Sequence, residues 1–230
     1  MSVINLFEGE EMEKVKELLE NRSKCLLYNA VEDSFENFGW IGGNPPEYFD
    51  DKISMFNNDN IEYRFYLTFN NPINNENAFS IFIPKKYSDR IDNNRYPNCS
   101  LKIFEHKISA ESENSILKMN EINRHYLKFI EEVEEEKFQK QYTEEFNETV
   151  DDSYSALVKF GGNPVLIQEE VYYYEQLLDD GYVFLFQIDE DGYPDSLVSE
   201  YPFGYGALYV YGKMNNGTTN DVIVGYWQFS

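Results

Sequence analysis

The chain has 230 residues, enough to bury a sizeable hydrophobic core, and its 42 acidic and 19 basic residues give a formal net charge of −23. Proteins that bind nucleic-acid backbones or anionic membranes neutralise phosphate with Lys and Arg, so this charge excludes both as partners. The partner stays unknown: a basic protein fits the charge, and solubility alone is its plain explanation.

The apolar pattern of the first half predicts one helix followed by strands. Residues 8–22 carry apolar side chains at helical spacing, and residues 25–28 are a short apolar run that favours a strand. Residues 61–69 alternate between apolar and polar, as a half-buried strand does. Residues 78–83 and 101–106 are predicted as two further strands.

The second half repeats this order with a longer helix. Residues 112–147 carry an apolar residue every three or four positions among dense Glu and Lys, which predicts a long acidic amphipathic helix. Apolar runs at 181–188, 206–212 and 221–229 predict strands, and residues 189–192 predict the turn after the first of them.

The sequence contains an internal repeat at an offset of 119 residues (161 − 42). The windows 31–45 and 150–164 share seven of fifteen positions, more than composition supplies, so we infer an internal duplication. Both windows end in the same four residues, Gly42, Gly43, Asn44 and Pro45 in the first and Gly161, Gly162, Asn163 and Pro164 in the second.

The two Gly-Gly-Asn-Pro loops are interpreted as structural corners. Glycine permits a positive φ and a close backbone approach, and proline fixes the direction in which the chain leaves. Neither loop has the glycine spacing of a dinucleotide loop or the Lys-Ser/Thr pair of a phosphate loop.

Together these elements predict an α+β fold. We expect a mostly antiparallel sheet with flanking helices and approximate two-fold symmetry, divided into halves at 1–110 and 111–230 that form one compact unit. Whether the halves pack face to face or share one continuous sheet is left open by the sequence.

The second half contains glutamines that the first half lacks. Gln187 lies within an apolar run, Gln228 lies in the last predicted strand, and Gln168 follows the second Gly-Gly-Asn-Pro loop. A buried amide must be hydrogen-bonded, either to backbone that it pins to the sheet or to a ligand. The second interpretation predicts a ligand-binding pocket formed by these glutamines, with Tyr209 and Trp227 as aromatic walls.

No motif in the chain predicts a catalytic residue, a cofactor or a metal. His106 and His125 lie in no recognisable nucleophile motif, and metal-binding spacings such as HExxH and CxxC are absent from the sequence. Asp189 and Asp191 faintly resemble a calcium loop, and they are kept as weak metal candidates, although a hairpin turn explains the same residues.

Cysteine usage and the first residues favour a cytoplasmic protein. Cys25 and Cys99 imply no disulfide framework, and residues 1–5 lack the basic and apolar regions of a signal peptide. No apolar stretch in the sequence is long enough to span a bilayer.

The second half resembles the YwqG-like family of bacterial proteins, clearest over residues 150–230. The family pattern is a Lys-hydrophobic-Gly-Gly-x-Pro loop, a Leu-x-Gln-hydrophobic-Asp strand and a Gly-x-Leu-aromatic strand. The matching segments are residues 158–164, 167–168, 184–189, 206–211 and 227–228. In the first half, Trp40 stands where the pattern has Lys159.

The resemblance implies a soluble, internally duplicated α+β domain of unknown function, without established catalytic residues. Our leading hypothesis is a non-enzymatic binding or protein-interaction module with its recognition surface on the second half. One alternative is an acidic, immunity-type antagonist of a basic toxin, because some family members lie near toxin gene clusters. A second alternative is a carboxylate- or metal-dependent hydrolase that uses Asp189 and Asp191.

Overall fold

The computed structural model describes residues 13–58, 61–86, 90, 92–145, 156–198, 201–215 and 218–230. Residues 8–12 of the first predicted helix, residues 146–147 of the second and the repeat segment 150–153 lie outside the described residues. Within the described ranges, no helix is both long enough and apolar enough to cross a membrane.

Strands are the main regular secondary structure of the described residues. The strands are β1 Lys24–Val31, β2 Gly39–Ile41, β3 Asn57–Asn58, β4 Ile61–Asn70, β5 Asn77–Pro84, β6 Lys102–Lys107, β7 His125–Glu134, β8 Val158–Gly161, β9 Val183–Asp189, β10 Ala207–Asn215 and β11 Thr218–Gln228. The α-helices are α1 Glu135–Glu145 and α2 Glu175–Asp179, and the shorter turns are a π-helical turn at Lys16–Glu20 and 3-10 turns at Glu47–Phe49, Ile53–Phe56, Val171–Tyr173 and Glu190–Gly192.

Ten of these strands form a nearly closed barrel, so the predicted α+β fold with flanking helices is wrong. The strand order is β11-β10-β9-β8-β1-β7-β2-β4-β5-β6, and each neighbouring pair is antiparallel. The edge strands β6 and β11 lie side by side. Main-chain hydrogen bonds from Tyr96 N to Gly225 O (2.6 Å) and from Trp227 N to Asn94 O (2.9 Å) tie the segment before β6 to β11.

The strand order is symmetric about its centre, and the chain crosses between the two sides. Strand β1 pairs with β8 as well as with β7, and β7 pairs in turn with β2. Strands β1 and β7 are thus exchanged between the two sides, and one continuous sheet contains both halves of the chain. The division at residue 110 as a domain boundary stays a prediction.

The long helix predicted at 112–147 is wrong over most of its length. Residues 125–134 form β7, and only residues 135–145 are helical. Within β7, His125 and Leu127 are buried while Tyr126 is half-buried and Lys128 is exposed, which is the two-residue period of a strand. Hydrogen bonding to β1 on one side and β2 on the other decides the conformation, because tertiary pairing overrides local helix preference.

Six strands predicted from alternation or from apolar runs are confirmed. The runs predicted at 61–69, 78–83 and 101–106 correspond to β4, β5 and β6, and those at 181–188, 206–212 and 221–229 correspond to β9, β10 and β11, with ends that differ by up to three residues. The inward-facing side chains of these strands form one apolar core, which includes Phe69, Phe79, Phe160 and Phe186. The barrel interior is therefore packed hydrophobic core.

A separate hydrophobic layer covers the outer face of each side of the sheet. On the first side, Phe49 and Phe56 from the 3-10 turns pack on Phe65 and Phe82 of β4 and β5. On the second side, Tyr173 and Leu177 pack on residues of β9 to β11, among them Phe184, Tyr209 and Tyr226. The segment between β8 and the turn at Val171–Tyr173 lies on this second side.

Both Gly-Gly-Asn-Pro loops are sharp corners held by the same kind of contacts. Their glycines have positive φ, for example +72° at Gly43 and +62° at Gly162. In each loop a glutamate accepts the asparagine N–H. Asn44 N lies 2.9 Å from Glu111 Oε1, and Asn163 N lies 3.0 Å from Glu135 Oε1. The loop geometry is therefore stabilised from within the protein.

The residue four positions before each loop asparagine reaches that asparagine's carbonyl group. Trp40 Nε1 donates to Asn44 O at 2.9 Å, and Lys159 Nζ donates to Asn163 O at 2.7 Å. Lys159 also forms an ion pair with Glu135 at 2.9 Å, and the two side chains are only 2% and 6% exposed. The second loop is thus stabilised by the buried Lys159–Glu135 ion pair, whereas the equivalent position of the first loop is occupied by the indole of Trp40.

Candidate functional site

Two of the predicted site glutamines lie beneath the segment that follows the second corner. Gln187 Oε1 accepts the N–H of Val165 at 2.7 Å. Gln228 Oε1 accepts the N–H groups of Ile167 and Gln168 at 3.0 and 3.1 Å, and Gln228 Nε2 donates to Gln168 O at 2.8 Å. Gln187 and Gln228 are buried, so both amides bond to backbone and hold this segment on the sheet.

Tyr209 and the side chain of Gln168 complete the same network. Tyr209 Oη donates to Val165 O at 2.7 Å and accepts the N–H of Ile167 at 3.3 Å. Gln168 Nε2 donates to Phe229 O at 3.1 Å, and Gln168 Oε1 accepts from Tyr173. Four of the five predicted site residues therefore meet, and they meet around main-chain groups of residues 165–168.

The fifth predicted residue, Trp227, lies on the other face of β11. Its ring packs in the barrel core, 5.6 Å from the ring of Phe203, and its Nε1 has no hydrogen-bond partner among the described residues. Neighbouring residues of a strand point to opposite faces, so Trp227 and Gln228 cannot contribute to the same pocket. A ligand-binding role for these residues stays a prediction.

A groove of about 880 Å³ lies over the segment that the glutamines hold. Residues 164–167 form its floor, and Tyr174, Tyr205, Glu169 and Asp191 are among the residues of its walls. This volume falls within the range of small-molecule and cofactor sites. We therefore take the groove, with the glutamine network under its floor, as the candidate functional site.

Gln228→Leu is expected to loosen the groove floor. The substitution leaves the N–H groups of Ile167 and Gln168 without their acceptor, which costs about 1 to 3 kcal/mol for a buried donor. Hydrogen exchange followed by NMR should show both amides exchanging roughly 10-fold faster or more. Gln176→Leu, a change at an exposed glutamine of α2, serves as control. Unchanged protection of the two amides in Gln228→Leu would contradict the network.

Tyr205 forms an unusual wall of the groove. Its side chain is 57% exposed and its φ is +62°, in the left-handed region that side chains other than Asn and Asp rarely adopt. The ring stacks on Tyr201 with centroids 4.1 Å apart, and Tyr201 stacks on Tyr193 at 5.6 Å. A strained backbone that presents an exposed ring requires support from its neighbours.

Glu190 supplies that support from below. Its Oε1 accepts the N–H of Phe203 at 2.7 Å and its Oε2 accepts the N–H of Gly206 at 3.0 Å, so one carboxylate holds both sides of Tyr205. The side chain is 1% exposed. Burial raises the pKa of Glu190 to about 7. The hydrogen bonds that its carboxylate accepts from backbone N–H groups oppose this rise.

The sequence did not reveal Glu190 or Tyr205 as site residues. Glu190 is one of 42 acidic residues, and its contacts with Phe203 and Gly206 join positions 13 and 16 residues apart through an irregular loop. The sequence feature that could have identified Tyr205 is Gly204-Tyr205-Gly206, since a tyrosine between two glycines indicates an unusual turn.

Asp189 and Asp191, the weak metal candidates, form a turn at the edge of the groove. Asp189 Oδ1 accepts the N–H of Asp191 at 3.0 Å and caps the 3-10 turn at Glu190–Gly192. Burial raises the pKa of Asp189 to about 6 and also raises the pKa of Asp191. In the part of the chain that the structure describes, no three His, Cys, Asp or Glu residues are placed to hold a metal ion together.

The two histidines contact serines away from the groove. His106 Nε2 lies 2.7 Å from Ser80 Oγ, and both side chains are buried, so a substrate has no access to this pair. His125 Nε2 lies 2.9 Å from Ser196 Oγ. In each histidine Nδ1 faces a main-chain carbonyl, whereas a catalytic triad places a carboxylate there.

A second groove, of about 620 Å³, follows the seam between β6 and β11. Its lining is mainly apolar and includes Leu101, Val222 and Val224, together with Cys99. Burial raises the pKa of the Cys99 thiol to about 12, so the thiol stays protonated at neutral pH. Cys99 is therefore not an activated nucleophile.

A family model described as a domain of unknown function (DUF1963) matches residues 52–205, more than half of the chain. The matched residues include the groove floor, Glu190 and Tyr205, whereas Gln228 lies beyond them. No curated protein matches the chain.

Proposed function

The chain belongs to the family of domains of unknown function called DUF1963, and we propose that it is a non-enzymatic binding module whose recognition site is the groove above residues 164–167. One observation carries the proposal: buried side chains fix both the floor and the aromatic wall of this groove. Gln187 and Gln228 hold the floor, and Glu190 holds the turn that carries Tyr205. Such preorganisation lowers the entropic cost of binding a ligand.

The difference between the two sides of the sheet supports the same proposal. At the 119-residue offset, Gln187 corresponds to Thr68 and Gln168 to Phe49. Phe49 is buried in the outer hydrophobic layer of the first side, where it fills the space over the sheet with apolar contacts. The second side instead has polar support beneath an open groove.

The other hypotheses have less support from the geometry. A hydrolase that uses Asp189 and Asp191 is less favoured, because Asp189 is engaged in capping its own turn. The narrower YwqG-like assignment and a cytoplasmic location stay predictions. The immunity-type role requires a basic toxin as the partner. The presence of the groove does not bear on that requirement.

A fragment screen tests the groove without a known ligand. A mixture of neutral, cationic and anionic ring compounds is added to isotope-labelled protein, and amide chemical shifts are recorded. We expect at least one compound to shift the amides of residues 165–168 and 203–206, and Tyr205→Ala to abolish this response. Tyr172→Ala is the matched control, because Tyr172 is similarly exposed (51%) and does not line the groove. Shifts confined to other surfaces, or unchanged in Tyr205→Ala, would overturn the proposal.

A further inference from the structure

The groove combines aromatic walls with negative charge. Tyr174 and Tyr205 line it together with the carboxylates of Glu169 and Asp191, and the described lining contains neither Lys nor Arg. The chain as a whole has a net charge of −23, so the field around the groove attracts cations. A groove of this composition is electrostatically complementary to a positively charged group.

Tyr205 has one ring face available for such a group. Tyr201 covers the other face at 4.1 Å, and the side chain is still 57% exposed. Cations bind readily over the face of a tyrosine ring, most often as arginine guanidinium. The same side of the protein already shows this contact, since the guanidinium carbon of Arg95 lies 4.8 Å from the ring centroid of Tyr172.

The groove floor adds a requirement for apolar atoms. Pro164, Val165, Leu166 and Ile167 form it, so a ligand must cover apolar surface while its charge reaches the carboxylates. Arginine and lysine side chains do both, because their methylene stems pack on apolar groups and their charged heads stay at the rim. The groove is also much larger than one side chain, which leaves room for flanking residues of a peptide.

We propose that the groove binds an arginine- or lysine-bearing segment of a partner protein, with the cationic head over Tyr205 and beside Asp191 and Glu169. This inference rests on the proposed binding function and specifies its ligand. It concerns the charge of the ligand, so it can fail while the groove remains a binding site.

The test uses two blocked pentapeptides that differ only in charge. Both are acetylated and amidated, with leucine and glycine around a central residue that is arginine in one and its neutral isostere citrulline in the other. Titration of labelled full-length protein, followed by amide shifts, gives both affinities. We expect the arginine peptide to bind about 10-fold more tightly, and to weaken at about 1 M salt, where screening is strong.

The variants separate the groove from the rest of the acidic surface. Tyr205→Ala and Asp191→Asn should each weaken the arginine peptide, whereas Tyr172→Ala should leave its affinity unchanged. Equal affinity for the two peptides, or binding unaffected by Asp191→Asn, would overturn the cationic inference. If neither peptide binds while neutral fragments still shift residues 165–168, the inference fails and the binding module stands. If no fragment shifts these amides, both proposals fail.

Discussion

Replacing Lys159 by methionine is expected to lower the free energy of unfolding by about 3 to 5 kcal/mol, because the change leaves a buried carboxylate without its cation. Lys159 Nζ lies 2.9 Å from Glu135 Oε2, and it also donates to Gly161 O at 3.2 Å and to Asn163 O at 2.7 Å. One substitution therefore removes a charge partner and two hydrogen bonds from the second corner. Urea unfolding at neutral pH, followed by circular dichroism, measures the loss.

Two control variants locate the cause of that loss. Lys140→Met removes an exposed ion pair with Glu136, whose atoms are 2.7 Å apart, and should cost far less stability than Lys159→Met because the pair is solvated. The double change of Lys159→Met with Glu135→Leu removes both buried charges and should recover part of the stability. If Lys159→Met cost as little stability as Lys140→Met, the conclusion that the Lys159–Glu135 ion pair is buried would be wrong.

The buried pair also explains why the second corner requires glycine. A Cβ at Gly162 would lie 1.9 Å from Glu135 Oε2 and 2.7 Å from Lys159 Nζ, so a side chain there would push the two charges apart. The sequence identified the corner through its repeated Gly-Gly-Asn-Pro. It did not identify Glu135, which lies 27 positions before Gly162 in a region predicted to be helical.

The strands that stand out as alternating or apolar runs could be predicted from the sequence, whereas the exchange of strands could not. Strands β4, β5, β9 and β10 follow from local apolar patterning, because each is an alternating or a continuous apolar run bordered by turn residues. Strand β7 also fits helical spacing, and only its pairing with β1 and β2 decides between the two. Pairing between distant segments is not encoded in local spacing.

The candidate site was predictable in part for a related reason. A glutamine in an apolar strand signals a buried amide, and this located Gln187 and Gln228 correctly on the second side of the sheet. Whether such an amide bonds to backbone or to a ligand depends on which loop lies above it. Segment 165–168 occupies that position, and no pattern within the strands indicates it. Because this segment covers the two glutamines, the groove lies above the segment and not directly above their amides.

The stability of the wild-type protein relative to Glu190→Gln is expected to fall as the pH rises. Burial raises the pKa of Glu190 from an ordinary value of 4.5 to about 7. Between these values the folded protein retains a proton that the unfolded chain has released, so raising the pH through this window favours unfolding. Glutamine cannot titrate. The difference between the two free energies of unfolding should therefore change by roughly 2 kcal/mol between about pH 5 and pH 8.

Urea unfolding of both proteins across this pH range gives the difference directly. Taking the difference cancels the contributions of groups that both proteins share and that lie away from Glu190, such as His106, whose pKa is lowered by burial. Glu62→Gln is the control. Hydrogen bonds from Arg64 and Lys85 lower the pKa of Glu62, so it titrates below this window and its difference should stay flat.

A difference between wild type and Glu190→Gln that stays constant with pH would mean that the pKa of Glu190 is the same in the folded and unfolded states. Solvent or the hydrogen bonds from the N–H groups of Phe203 and Gly206 would then offset the desolvation of the carboxylate, and the expected rise in its pKa would be wrong. A difference that changes in the expected direction shows instead that the fold buries Glu190 and keeps its carboxyl group protonated to a higher pH than the unfolded chain does. Retaining a buried titratable group beneath an exposed ring in a strained conformation is consistent with a wall built for binding, since a packed apolar residue would be more stable there.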